Sequence, residues 1–178
     1  MPEGVIECMC AEVALWFMQG ELEMKIEVVA MGKVKEKHCK ALVADYAGRL
    51  KHYIPFKETS LRESKLTAQN REEGLREEAQ SFEKCCTPNT IRIAMDERGK
   101  QMTSVELAQL IEQWMTQGTR HVAFFIGSAS GLDEEFREGC QHVLALSKMT
   151  LPHEVARVIL TEQLYRSMTI IRGEPYHK

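Results

Sequence analysis

The chain is short of the two residues that most disturb regular structure, with 5 Pro and 11 Gly in 178 residues. That scarcity, together with 44% hydrophobic residues, excludes collagen-like, low-complexity and disordered chains and leaves one ordinary globular domain. Long apolar runs are missing too. The longest, Val13 to Met18, falls far short of the ~18 consecutive apolar residues a membrane-spanning helix needs, so no membrane partner is expected. The six cysteines (Cys8, Cys10, Cys39, Cys85, Cys86 and Cys140) form no evenly spaced framework, and a domain of this size builds its core without staples. Reduced thiols in a cytoplasmic protein are the expectation. Neither Cys8-x-Cys10 nor Cys85-Cys86 has the second CxxC or HxxxH half of a zinc site, so no metal is expected.

Lys and Arg are absent from residues 1–23, where Glu3, Glu7, Glu12, Glu21 and Glu23 give a charge of −5. A secretory signal would need a basic start and a small-residue cleavage site, and a mitochondrial presequence would be basic. Because Met24 stands directly before the first clean strand pattern, residues 1–23 read as an acidic N-terminal extension, appended or weakly ordered, and residues 24–178 as the domain. From Met24 onward 23 basic residues face 21 acidic ones, a balance of +2. That neither demands nor forbids RNA, since a local patch matters more than the sum.

What is present is an alternation of short β-branched runs and longer amphipathic ones. Lys25–Met31 reads as a strand, followed by Gly32 and a Lys-rich turn. Ala41, Leu42, Ala44, Tyr46, Leu50 and Tyr53 recur at helical spacings, predicting a helix over Glu36–Tyr53 that Pro55 ends. Phe56–Leu61 is a second strand and Arg62–Asn70 a polar loop. Glu72–Lys84 reads as a helix with Leu75, Ala79 and Phe82 inward and its acidic run Glu72–Glu83 as a solvated face.

Thr90–Met95 is a strand that stops at the polar turn Asp96-Glu97-Arg98-Gly99-Lys100. Thr103 or Ser104 caps a helix reaching Gln117, with Leu107, Leu110, Ile111 and Trp114 inward. His121–Ile126, a helix over Asp133–Cys140, a strand over Val143–Leu146 and a helix over His153–Ile171 complete a β-α repeat. The order implies an α/β domain with a mainly parallel sheet and flanking helices.

Ligands of such sheets bind beyond the carboxyl ends of the strands. Three junctions qualify: Met95 into Asp96, Ile126 into Gly127-Ser-Ala-Ser-Gly131, and Leu146 into Ser147…Pro152. Gly127 and Gly131 permit a close backbone approach or a positive φ, but they form neither a dinucleotide fingerprint nor a phosphate loop. The last residues are unusual for a terminus, with Arg166, Arg172, Tyr176, His177 and Lys178 close together. They suit either a solvated basic end or a cap that brings Tyr and His to a site and Arg to a phosphate backbone. His38, His52, His121 and His142 share no spacing.

From Met24 to Lys178 the sequence resembles the RlmH-type (YbeA-type) family of the SPOUT methyltransferases. The resemblance rests on Met95-Asp-Glu-Arg-Gly-Lys100, Phe125-Ile-Gly-Ser-Ala-Ser-Gly-Leu132, Leu146-Ser-Lys-Met-Thr-Leu-Pro-His153, Glu162-Gln-Leu-Tyr-Arg166 and Arg172-Gly-Glu-Pro-Tyr-His-Lys178. One position departs: Ser128 stands where the family usually has a second glycine.

The resemblance implies an α/β fold whose C-terminal part is threaded as a trefoil knot. It also implies a homodimer that transfers the methyl of S-adenosylmethionine to N3 of a pseudouridine in 23S rRNA on the 70S ribosome, with no DNA partner. Its cofactor contacts carry over to Met95, Gly127, Leu146, Ser147, Lys148, Met149, Thr150 and Leu151. On this reading His177 or Tyr176 assists deprotonation of the base with Arg166, and Arg166, Arg172 and Lys178 hold RNA. His153 stays open beside His177 as a catalytic group. A noncatalytic RNA- or ribosome-binding SPOUT module is the alternative, motivated by Ser128 and the acidic extension; a methyltransferase for another RNA such as tRNA is a further one.

Overall fold

The computed structural model describes residues 24–65 and 70–177. The expectation for residues 1–23 and the role given to Lys178 therefore lie outside the described residues. Strands and helices alternate: β1 (Lys25–Met31), α1 (Lys37–Leu50), β2 (Phe56–Leu61), α2 (Arg71–Glu83), β3 (Thr90–Gln101), α3 (Ser104–Thr116), β4 (His121–Ile126), α4 (Glu134–Glu138), β5 (His142–Ala145) and α5 (His153–Ile171). The sheet runs β2-β1-β4-β3-β5 and its strands pair in parallel. Among the described residues no helix is long and apolar enough to cross a membrane.

Strands buried on both faces read as near-continuous apolar runs, which is why β1 and β4 are so uniform. Alternate residues feed two cores. Ile26, Val28, Ile93, Val122 and Phe124 pack against Leu50 of α1, Ile111 and Trp114 of α3, and Leu160, Leu164 and Met168 of α5. Val29, Met31, Ala94 and Phe125 meet Phe82 of α2, Leu132 of the loop after β4 and Phe136 of α4 on the other face. There Phe82, Phe125 and Phe136 form a triangle with ring centroids 5.1–5.2 Å apart.

Local chemistry sets the helix ends. Thr103 is the cap of α3: its hydroxyl accepts from Glu106 N at 3.2 Å while the Glu106 carboxylate accepts from Thr103 N at 2.7 Å, a closed capping box. Glu36 caps α1 by accepting from Cys39 N at 2.6 Å, and Asp133 caps α4 through Phe136 N at 3.0 Å. Arg157, fully buried on α5, donates to the carbonyls of Met31 and Gly32 and to Ser60 Oγ, pinning α5 to the ends of β1 and β2.

At the amino ends of the strands Glu27 is 3% exposed between Lys25 Nζ at 2.6 Å and Lys57 Nζ at 3.2 Å, and it accepts from the Thr59 hydroxyl. Burial pushes this carboxyl up, but the contacts to Lys25, Thr59 and Lys57 outweigh burial and bring its pKa to about 2.

Three expectations are corrected. Met95 does not end β3: both Met95 and Lys100 pair with Leu144, so residues 96–99 bulge out and the strand resumes to Gln101. The resumption needs Gly99, where a Cβ would lie 2.6 Å from the Val143 carbonyl. The acidic face of α2 is not solvated throughout, because Glu78 is on the inner stripe with Gly74 and Phe82 at four-residue intervals and is 2% exposed. Leu42 is 45% exposed, and α1 turns Val43, Ala47 and Leu50 to the sheet.

Candidate active site

Two strand exits, after β4 and β5, and the bulge of β3 converge because of the sheet order. Met95 pairs with Ile126 on one side and Leu144 on the other, so the loops leaving β4 and β5 and the bulge of β3 rise from neighbouring strands at one edge. They enclose an open cleft of about 860 Å³, closed off by His153 and Ala156 at the start of α5. A smaller cavity of about 290 Å³ adjoins it through Met95, Leu144 and Leu146. Ligand clefts of this size combine apolar walls with a few fixed polar groups.

The β4 exit is the tightest part. Gly131 N donates to Ser128 O at 2.9 Å, folding the loop onto itself, and Gly131 takes φ +87°. A Cβ on Gly127 would stand 2.2 Å from Gly131 O. The two glycines thus serve different needs, close approach at 127 and left-handed backbone at 131. Ser128 Oγ accepts from Ser130 N at 3.4 Å. The same hydroxyl faces the buried Glu78 carboxyl, whose Oε1 accepts from Ser64 N at 3.0 Å. Burial raises the Glu78 pKa, and Ser64 N–H and the Ser128 hydroxyl pull it partly back. Arg71, at the start of α2, donates to Ser130 O at 3.2 Å from outside.

The other walls are tied to each other. Asp96 accepts from Arg98 N and from the Arg98 guanidinium, each at 2.9 Å, and Arg98 holds the Asp96 carboxyl below its usual range. Glu97 Oε2 accepts from Thr150 Oγ1 at 2.5 Å, joining the bulge of β3 to the loop after β5. Ser147 Oγ accepts from Met149 N at 3.0 Å. Met149 itself is 74% exposed at the cleft, a large apolar side chain with no protein cover.

Of the eight residues assigned to the cofactor from the sequence, Met95, Gly127, Leu146, Ser147, Met149, Thr150 and Leu151 line the cleft, and Lys148 is an exposed neighbour outside its lining. Sequence reasoning missed Arg71 and Ala156. Nothing marked Arg71, whose charged helix reads as solvated, or Ala156 among the apolar residues of α5.

The tail is elsewhere in the protomer. Arg166 pairs with Glu162 at 2.6 Å and its guanidinium is 4.6 Å from the centre of the Tyr176 ring. Tyr176 donates to Glu162 at 3.0 Å and packs on Tyr165 at 4.8 Å. Burial first, then Tyr46 and Glu162, raise the Tyr176 pKa well above its ordinary value. Arg172 and His177 are exposed. Ten residues of helix separate Ala156 at the cleft from Arg166, about 15 Å along α5. Arg166, Arg172, Tyr176 and His177 are not among the residues that line the cleft of their own protomer.

Comparison with known proteins places the chain in a family. Residues 24–177 match the family model described as "Predicted SPOUT methyltransferase". A protein of Anaeromyxobacter sp. (strain Fw109-5) named "Ribosomal RNA large subunit methyltransferase H" is 42% identical over 158 residues, covering 87% of this chain and all of the relative. One of the same name from Trichlorobacter lovleyi is 38% identical over 154 residues, covering 86% of this chain and 99% of the relative. The crystal structure of a probable methyltransferase from Bordetella pertussis Tohama I shares the fold at TM-score 0.52 and 12% identity, over 82% of this chain and 96% of that one.

Proposed function

The chain belongs to the SPOUT methyltransferase family, and from that membership we propose that it transfers the methyl group of S-adenosylmethionine to N3 of a pseudouridine in 23S rRNA, acting on the assembled 70S ribosome in the cytoplasm. The observation that carries this reading is the meeting of three loops in one cleft whose lining includes seven of the eight residues implied as cofactor contacts. The exposed Met149 and the Gly127 cradle suit a bound nucleoside, for which they offer an apolar wall and a close backbone surface.

S-adenosylmethionine supplies an electrophilic methyl on a sulfonium. The protein's task is to position the acceptor and to remove a proton from N3, a weakly acidic imide. The tail acts on the cleft of a second copy in a homodimer, a reading supported by the absence of Arg166, Arg172, Tyr176 and His177 from the lining of their own cleft. Tyr176, with its pKa raised, stays protonated and, on leaving Glu162, orients the base as a donor. His177 accepts the proton, while Arg166 and Arg172 hold charge near the base or on the RNA backbone. Threading of the loop after β5 as a trefoil knot belongs to the same proposal.

The test is incubation with radiolabelled S-adenosylmethionine and 70S ribosomes from a strain lacking the activity, followed by nucleotide mapping. Label on N3 of a large-subunit pseudouridine is expected. Label on tRNA, or cofactor binding without transfer to any RNA, would overturn the assignment.

A further inference from the structure

The Lys-rich segment between β1 and α1 takes no part in the site described so far. Residues 33–40 hold Lys33, Lys35, Lys37 and Lys40 against the single Glu36, a local +3 on a chain whose net charge is −3. All four lysines are exposed. Val34 is half-buried between Lys33 and Lys35, so the two ammonium groups share the outer side of an extended stretch. Among the described residues none of the four lysines makes an ion pair with a carboxylate.

The nearest acids face the backbone instead. Glu36 accepts from Cys39 N, and Glu154 accepts from Lys35 N at 3.0 Å and Glu36 N at 2.9 Å. Glu63 packs against Gly32 at the foot of the segment.

These contacts also locate the segment. Glu154 follows His153, which lines the cleft, so the lysines are fastened to the cleft's α5 wall. Ala30 pairs with Ile126, so β1 ends beside the strand that opens into Gly127. Arg157 fixes the Met31 and Gly32 carbonyls from below. The result is a rigid basic ridge on the rim of the cleft.

We propose that Lys33, Lys35 and Lys37, with Lys40 behind them, form a phosphate-binding ridge that receives the RNA backbone and guides the target nucleotide into the cleft from the β1 side. The inference rests on the RNA methyltransferase reading and names a surface for its substrate. A solvated ridge of this kind gives affinity through counterion release and is indifferent to base sequence.

The experiment compares wild type with K33Q/K35Q/K37Q and K33R/K35R/K37R. It measures binding to purified 70S ribosomes across a salt series, KM for ribosomes against kcat, S-adenosylmethionine affinity by calorimetry, and the melting temperature. The Gln variant is expected to raise KM for ribosomes roughly 10- to 100-fold near 0.1 M salt and to flatten the slope of log K against log salt by about 2–3. Cofactor affinity, kcat and melting temperature are expected to stay at wild-type values, and the Arg variant to restore binding. An unchanged salt slope with unchanged KM would overturn the ridge, as would a matching loss of cofactor affinity. If wild type methylates tRNA instead of ribosomes, and tRNA binding shows the same lysine dependence, the ribosomal assignment fails while the ridge stands.

Discussion

Thr150 Oγ1 and Glu97 Oε2 meet at 2.5 Å, a hydrogen bond between the bulge of β3 and the loop that follows β5. These segments are 53 residues apart in the chain and form opposing walls of the cleft. The contact sets the cleft's width without belonging to the core. Thr150→Val keeps the shape and removes the hydroxyl, so S-adenosylmethionine affinity should fall about 5- to 10-fold, the worth of one partly exposed charge-assisted bond. Titration calorimetry checks this, and an unchanged affinity would show that the walls hold without the bond.

The two loop glycines should fail differently. At Gly127 an added Cβ would collide with the Gly131 carbonyl at 2.2 Å, so Gly127→Ala must move backbone and should weaken cofactor binding at least about 100-fold. At Gly131 a Cβ meets open space and only φ +87° is penalised, by about 1–2 kcal/mol. Gly131→Ala should therefore lower the melting temperature by a few degrees and leave measurable binding. Equal effects at the two positions would contradict the close-approach argument.

Glu78 should make the protein more stable when its charge is removed. Its pKa is raised in the folded chain, so ionisation costs stability as pH climbs above the ordinary value of 4.5 and costs nothing once both states are protonated. Glu78→Gln retains an oxygen for Ser64 N and should add about 1 kcal/mol near pH 7, fading toward pH 4. Urea unfolding from pH 4 to pH 8 reads the sign directly. A destabilised Gln variant at pH 7 would mean that the ionised carboxylate is favoured there after all.

Glu27 works in the opposite sense. Its folded pKa of about 2 lies below the ordinary 4.5, so its stabilisation is complete above 4.5 and is lost as pH falls from there toward 2. Glu27→Gln leaves Lys25 and Lys57 beside an uncharged group and should cost about 3 kcal/mol at pH 7. Because Glu27 is at the amino ends of the strands, cofactor affinity of the folded variant should not change. Loss of affinity without loss of stability would refute that separation.

His177→Ala tests the tail. Cofactor affinity and melting temperature should hold, since His177 is exposed and does not line its own cleft, while methyl transfer should fall at least about 100-fold if it accepts the N3 proton. Unchanged turnover on intact ribosomes would remove the tail histidine from the mechanism and return His153 to consideration.

Much of this fold was legible: the bounds read for Lys25–Met31, Phe56–Leu61, His121–Ile126 and His153–Ile171 are those observed, and the buried strands among them, Lys25–Met31 and His121–Ile126, are written as apolar runs. The exits after β4 and β5 were legible too, since their polar and glycine residues interrupt the apolar runs. The rest depended on contacts between distant segments. Nothing local shows that β3 resumes after Asp96, because the resumption depends on Gly99 fitting against the backbone of β5. Composition could not single out Glu78 from its neighbours, because which carboxylate turns inward is set by where Phe82 docks. The separation of Arg166 and Tyr176 from the cleft comes from the length and course of α5, which a motif does not encode.

All four tyrosines of the chain share one neighbourhood: Tyr165 packs against Tyr46 at 6.2 Å, Tyr53 at 5.9 Å and Tyr176 at 4.8 Å, and Tyr53 donates to Glu174 of the tail. The chain therefore carries a built-in optical gauge. Near-ultraviolet circular dichroism in the tyrosine band reports whether the last residues are seated on α5 or drawn away.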